Sequence, residues 1–296
     1  MASNSKIEWT GHTWNPVVGC TRTSEGCDQC YAFTMTKRLA AMGQQNYMGL
    51  TGKGHFNGVV RVLPTKLDVP MRRKKPTTYF VNSMSDLFHK SVPDDFIDQV
   101  FAVMASCPQH TFQILTKRAD RMAEYMCNPD RLENIYAQWC SVSDQPPSAE
   151  AWPLPNVWLG VSVENQEAAN KRIPELLKVP AAVRFLSCEP LLGDLGLLSW
   201  MALPGQEGKA EWFLAKYGSS QPISWVIAGA ESGHGARPMN LDWVRFLRDQ
   251  CSGAGVPFFF KQMLVDGEKV SLPELDGIVW DQFPEGVSHA CADDSR

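Results

Sequence analysis

From Thr77 to Phe260 the chain repeats one pattern: a short apolar run, a polar end, then an amphipathic stretch. The apolar runs are Thr78–Asn82, Thr111–Leu115, Val157–Ser162, Val183–Ser187, Ser224–Ala228 and Val256–Phe260, each of strand length. Helix-period stretches separate them at Asp94–Ser106, Ala119–Met126, Gln166–Leu177 and Asp242–Ser252. With a further strand over Thr13–Val18 there are about seven strand candidates, and such alternation demands α/β architecture with parallel strands. An open doubly wound sheet and a full or partial TIM-type (β/α) barrel both satisfy it.

The strand ends favour the barrel. They read Asn82-Ser83-Met84-Ser85-Asp86, Thr116-Lys117-Arg118, Ser162-Val163-Glu164-Asn165, Ser187-Cys188-Glu189-Pro190, Gly229 to Gly233 with Glu231, and Lys261-Gln262. In a barrel these ends converge on one face, where active sites are built. Ordinary loop residues account for one or two such ends, whereas six in succession predict a shared polar cavity. The barrel is expected over residues 1–265, with insertions near 43–76, 127–156 and 193–222 and an extension over 266–296. The second insertion carries Pro146 and Pro147, and the third carries Trp212 and Phe213 and is expected to form short helices. A short strand is expected over Val59–Val62.

Ahead of this pattern, Cys20, Cys27 and Cys30 stand in a C-x6-C-x2-C spacing on a loop that enters a helix over Tyr31–Met42, so the loop follows the first strand. Three thiolates on one loop suit a soft metal or an iron–sulfur cluster. Gly19 and Gly26 each precede a cysteine, where a tight turn lets the backbone wrap a metal. A [4Fe–4S] cluster with one open iron, a zinc site completed by His12 or a distant cysteine, and three unrelated thiols all remain open on spacing alone. The other cysteines, at 107, 127, 140, 188, 251 and 291, are dispersed and read mainly as small buried residues.

The chain of 296 residues is 44% hydrophobic and 20% charged, which suits a globular protein with a substantial core. The sequence shows no membrane span and no signal peptide, so the cytoplasm is the expected address, and an odd count of nine cysteines argues against a disulfide framework. A net charge of −4 is not the footprint of a protein that grips duplex DNA by its phosphates. The basic run Arg72-Arg73-Lys74-Lys75 reads as a solvated loop.

A cysteine triplet before the first helix of a (β/α) barrel resembles the radical S-adenosylmethionine superfamily. The chain also resembles a narrower group, the phage-associated three-cysteine-motif proteins. That likeness runs through Lys6–Thr10, Thr13–Pro16, the cysteine loop, Val81–His89, Leu115–Arg118, Trp158–Asn165, Phe185–Pro190 and Phe258–Gln262. The spacing departs from the superfamily's common C-x3-C-x2-C, and the aromatic Tyr31 follows the last cysteine rather than preceding it.

The resemblance implies a [4Fe–4S] cluster on Cys20, Cys27 and Cys30 that binds S-adenosyl-L-methionine. An external electron donor would drive its cleavage to methionine and a 5′-deoxyadenosyl radical, which takes hydrogen from a substrate. It further implies cofactor contacts from Tyr31, Asn82, Ser83, Ser85 and Asp86 (amino group), Lys117 and Arg118 (carboxylate), and Ser162 and Glu164 (ribose). Cys188, Glu189, Glu231 and Lys261 then face the substrate. Cys188 has a second reading as a packed apolar residue, and Glu189 with Lys261 a second reading as a structural salt bridge. The implied substrate is a nucleotide or nucleic acid, with modification, such as isomerisation, of a nucleobase like a hypermodified thymine in phage DNA. Two rival classes stand beside it: a non-catalytic zinc or iron–sulfur binding partner, and a barrel hydrolase or lyase that uses Glu164, Glu189 and Lys261 beside a structural metal loop.

Overall fold

The computed structural model describes residues 3–142, 152–201, 222–233 and 235–284. Its main sheet has nine strands. β1 (Ser3–Asn4) is antiparallel to β2 (His12–Trp14) at one edge. A small separate ladder pairs β3 (Val17–Val18) with β4 (Arg61–Val62). Beyond β2 the main sheet continues in parallel through β5 (Thr78–Val81), β6 (Thr111–Thr116), β7 (Val157–Ser162), β8 (Val183–Cys188), β9 (Trp225–Gly229) and β10 (Phe258–Val265). The antiparallel β11 (Glu268–Ser271) closes the other edge. It returns through Asp266 and Gly267, both at positive φ, as a two-residue hairpin turn requires.

The helices among the described residues are α1 (Tyr31–Ala41), α2 (Asp94–Ala105), α3 (Ala119–Met126), α4 (Arg131–Val142), α5 (Gln166–Lys178) and α6 (Leu241–Ala254). Asn165 caps α5 by accepting from the Ala168 N–H, Asn240 caps α6 through Asp242, and left-handed Gly255 ends α6. None of the described helices is long and apolar enough to cross a membrane.

Period-two alternation sorts the strand residues onto two faces. Tyr79, Val81, Val157, Leu159, Val161, Leu186, Val226, Phe258 and Phe260 join the large core beneath the helices. Their neighbours Phe80, Trp158, Phe185, Trp225, Ile227 and Phe259 turn the other way and gather around Trp9 in a second, smaller core. This second core is the interior of a partial barrel. Its rings make tilted and edge-on contacts, with Trp9 and Phe80 centroids 4.7 Å apart and Trp158 and Trp225 5.8 Å apart. The sheet curls far enough for Glu8, just after β1, to accept a 2.6 Å ion pair from Lys269 of β11 and a hydrogen bond from Ser271.

The expected parallel (β/α) order is therefore present as a partial barrel, with differences at the first strand and in the insertions. Thr13–Val18 is not one strand: Pro16, which has no N–H to give a ladder, splits it, and Val17–Val18 leaves the sheet to pair with Arg61–Val62. The insertion at 127–156 contains the unforeseen helix α4, held by a buried ion pair of 2.7 Å between Arg131 and Asp98 of α2. In the insertion at 193–222 a short 3-10 turn covers Leu198–Trp200. Pro146, Pro147, Trp212, Phe213, Asp293, Asp294 and Cys291 lie outside the described residues, as does the side chain of Cys140. Residues beyond 265 pack onto the sheet: the Phe260 N–H donates to the Trp280 carbonyl, and Leu275 is buried. Of the dispersed cysteines, Cys107, Cys188 and Cys251 are buried and Cys127 is exposed.

The inner core fixes one residue by sterics. A Cβ on Gly160 would stand 2.6 Å from the Phe185 ring, a rigid group with no room to retreat. Gly160→Ala should therefore destabilise the fold by about 1–3 kcal/mol as overpacking. Gly193→Ala, where no atom lies within 4 Å, should leave stability near wild type. Thermal melting of the two variants checks this, with the lower midpoint expected for Gly160→Ala.

Candidate functional site

The C-terminal ends of the parallel strands open into a cavity of about 350 Å³. Its wall includes all three thiols, Cys20, Cys27 and Cys30, together with Tyr31, Asn82, Ser83, Ser85, Asp86, Lys117, Arg118, Ser162, Glu189, Glu231 and Lys261. Two of the sequence-predicted site residues, Cys188 and Glu164, are not on that wall.

The segment after β5 builds the floor of the cysteine loop. Asn82 sits at φ 60, a left-handed conformation that Asn tolerates better than most residues. From there its Oδ1 accepts from the Val17 N–H at 3.2 Å. Ser83 Oγ donates to Asn15 Oδ1 at 3.2 Å, and Ser85 Oγ donates to the Val17 carbonyl at 2.8 Å. These bonds dock residues 82–85 onto the turn that leads to Cys20. Gly19 makes that approach possible. Its φ is +88, and a Cβ there would lie 2.2 Å from the Val59 carbonyl oxygen.

Asp86 is the hub. Its Oδ1 accepts from Thr116 Oγ1 at 2.7 Å and from the Phe88 N–H at 3.0 Å; its Oδ2 accepts from the Lys117 N–H at 3.2 Å and from Arg118 Nη1 at 2.8 Å. Arg118 then reaches the cysteine loop. Nη2 donates to Thr21 Oγ1 at 2.8 Å and to the Thr21 carbonyl at 3.1 Å, while Nη1 lies 3.7 Å from Cys20 Sγ. On the far side, His89 Nδ1 accepts from the Ser91 N–H at 3.1 Å, and its Nε2 is 3.0 Å from Thr21 Oγ1. Burial, with Arg118 nearby, pushes the His89 imidazole down to about 4, so it is neutral at pH 7 and its Nε2–H donates to Thr21. Thr21 and His89 fall within stretches that carry the family likeness, but nothing in the sequence singles either residue out for a role.

The remaining turns of the loop are clamped from the other strands. Glu164 is fully buried and takes Arg172 in a two-point pair, 2.8 Å from Nη1 and 3.3 Å from Nη2. Burial alone would raise its carboxyl, but Lys117 and Arg172 more than offset this and hold it below the usual carboxylate range. A Cβ on Gly26 would come within 3.0 Å of that carboxyl carbon, so Gly26 lets the loop rest on it. Glu164 therefore braces the loop from beneath and stands off the cavity wall. Glu231 holds Arg237 at 2.6 Å, and Arg237 Nη2 donates to the Glu25 carbonyl at 2.9 Å. Asn165 Nδ2 donates to the Glu25 carboxylate.

Cys188 is the second correction. Phe185 and Ser187 of β8 face the interior, so Cys188 faces outward; it is fully buried in the outer core. It takes the packed reading and does not face the cavity. Glu189, one residue on, returns to the cavity and pairs with Lys261 Nζ at 2.8 Å. Lys117 lines the cavity with no side-chain hydrogen bond or ion pair among the described residues.

The electrostatics around the thiols are mixed. Burial pushes the Cys20 thiol up to about 12, with Asp86 reinforcing the shift and Arg118 opposing it. Burial also raises Cys30, while the N–H groups of Phe33 and Ala32 at the start of α1 favour its thiolate. Among the described residues no three His, Cys, Asp or Glu side chains converge tightly enough for a single metal ion. A single tetrahedral zinc needs its sulfurs packed around one atom. An iron–sulfur cluster instead takes one thiolate per iron and spreads them. Three thiols on one wall of a cavity, with no nitrogen or oxygen ligand among them, are a donor set that could hold such a cluster.

Among solved structures, the chain is similar to spore photoproduct lyase with bound AdoMet and dinucleoside spore photoproduct, at a TM-score of 0.40 and 10% identity over 86% of this chain and 64% of that one. Spore photoproduct lyase complexed with dinucleoside spore photoproduct gives 0.39 and 11% over the same shares. The chain thus spans just under two thirds of the length of those structures. No curated protein matches it. The family described as "Protein of unknown function (DUF5131)" matches residues 4–284, and the chain belongs to that family.

Proposed function

We propose that this protein is a radical S-adenosylmethionine enzyme whose Cys20, Cys27 and Cys30 hold a [4Fe–4S] cluster. One observation carries the reading: three thiols of a single loop share a cavity wall with the polar ends of the parallel strands. When bound, the cluster and S-adenosyl-L-methionine supply reductive cleavage and a carbon-centred radical able to take hydrogen from an unactivated position.

The chain's own residues divide into two sets. Asp86, Arg118, Thr21, Glu164, Glu231 and Arg237 bear on the loop and fix where the thiols stand. Arg118 also brings a positive charge beside Cys20, which suits a thiolate-rich, negatively charged group. Lys117, Ser162, Tyr31 and the 82–85 segment remain to bind the cofactor. Lys117 is our choice for its carboxylate because its side chain lines the cavity and its charge, which also bears on Glu164, makes no direct ion pair among the described residues. Aromatic rings beneath the cavity exclude water from its inner end. The substrate we assign is a nucleobase, free or in phage DNA, modified after electron delivery from an external donor; the family resemblance supports this assignment.

Anaerobic protein reconstituted with iron and sulfide and reduced with dithionite should convert S-adenosyl-L-methionine to 5′-deoxyadenosine, read by mass spectrometry. Cys27→Ala should make none. A colourless protein that holds one zinc and cleaves nothing would sink the proposal.

Arg118→Met should lower iron retained per chain, because outer partners of metal ligands typically contribute about 10–100-fold in affinity. Iron titration against a competing chelator measures this. An Arg118→Met protein that loads iron as wild type does would show that Arg118 does not support the cluster.

A further inference from the structure

The pair on the inner wall, Glu189 and Lys261, is built with more care than a stabilising contact needs. Lys261 stands at a break in the ladder: Phe260 pairs with Ala228 and Gln262 with Gly229, so Lys261 is the extra residue of a β-bulge. Bulges re-aim side chains beside active sites. Gly229 yields the space, since a Cβ there would lie 2.7 Å from Glu189 Oε1. Ser187 Oγ donates to Glu189 Oε2 at 3.2 Å and holds the carboxylate in place. Both side chains are largely shielded, Lys261 at 16% and Glu189 at 13% exposure. A shielded ion pair is weak evidence for stability, because an apolar pair of similar volume serves as well.

Its chemistry is specific. The pair is neutral overall, so it does not attract a net charge. Oε1 lies 2.8 Å from the Lys261 ammonium but is buried and accepts no aligned hydrogen bond, while Oε2 accepts from Ser187 and keeps a second acceptor site, and the ammonium keeps N–H donors. Side by side, an anionic acceptor and a cationic donor complement an N–H next to a C=O. An N–H flanked by carbonyl carbon is the most acidic donor on any base edge, and so makes the strongest bond to a carboxylate. Trp9 and Phe80 line the same cavity and offer flat apolar surface for a ring.

We propose that Glu189 and Lys261 read the lactam or imide edge of a cyclic ligand, as in thymine, uracil or guanine, with Glu189 accepting from the ring N–H and Lys261 donating to the adjacent carbonyl. This deepens the reading of the cavity as a substrate site and rests on it, but its test needs no turnover. Ligand-observed saturation-transfer NMR on the full, anaerobically purified chain would compare thymidine, 3-methylthymidine and 2′-deoxycytidine.

Thymidine is expected to bind at least about tenfold tighter than 3-methylthymidine, whose edge is blocked, and tighter than 2′-deoxycytidine, given the strength of hydrogen bonds to charged groups. Glu189→Gln should shrink the thymidine-to-3-methylthymidine ratio. A merely structural role would weaken both ligands alike and leave the ratio unchanged. Lys261→Met is the second variant should Glu189→Gln fail to fold. Equal affinity for the two thymidines, or binding of none of the three nucleosides, overturns the proposal. Selectivity without 5′-deoxyadenosine formation would uphold it while defeating the radical enzyme; 5′-deoxyadenosine formation without selectivity would do the reverse.

Discussion

The ion pair between Asp86 and Arg118 ties the sheet to the cysteine loop. Asp86 belongs to the segment after β5 and Arg118 to the end of β6, and both are mostly shielded from water. Their carboxylate also collects Thr116 and the N–H groups of Phe88 and Lys117, while their guanidinium collects Thr21. Two neighbouring strand ends and the loop are thus fixed by one charge-assisted network. With either partner removed, the other would be left as an uncompensated charge against the loop. Both residues also line the cavity, so the network stands between the loop and the space open to a ligand.

Much of the architecture was legible because hydrophobic alternation is local. Thr78–Val81, Val157–Ser162 and Val183–Cys188 emerge within a residue of their sequence-read limits, since β-branched and aromatic runs leave little choice of conformation. The same alternation could have settled Cys188: once Phe185 and Glu189 face the interior, period two sends Cys188 outward. What stayed hidden depends on contacts distant in sequence. Nothing near Glu164 announces that it will lie beneath Gly26, and nothing near Thr21 announces His89 or Arg118. Helix α4 was missed because its stabilising partner, Asp98, sits on another helix.

The glycines of the cysteine motif show sequence and structure meeting at one point. In the sequence, each reads as a turn that helps a chain wrap a metal. Gly19 does turn, with φ +88, and also yields room for the Val59 carbonyl. Gly26 has no positive φ; its role is contact, because a side chain would crowd Glu164. One residue type answers a conformational demand in the first case and a steric demand in the second.

The aromatic packing around Trp9 has a geometric consequence for any large substrate. Trp158, Phe185, Trp225 and Phe259 fill the barrel below the strand ends, and the Phe185 ring occupies the space Gly160 leaves. Among the described residues, these rings pack closely beneath the cavity. Under the proposed reading, a polymeric substrate would reach the inner wall by a chain end or a single protruding unit. If the proposed nucleobase substrate lies within a duplex, it would have to rotate out of the stack before any chemistry, at a cost of a few kcal/mol that is smallest where pairing is already weakened.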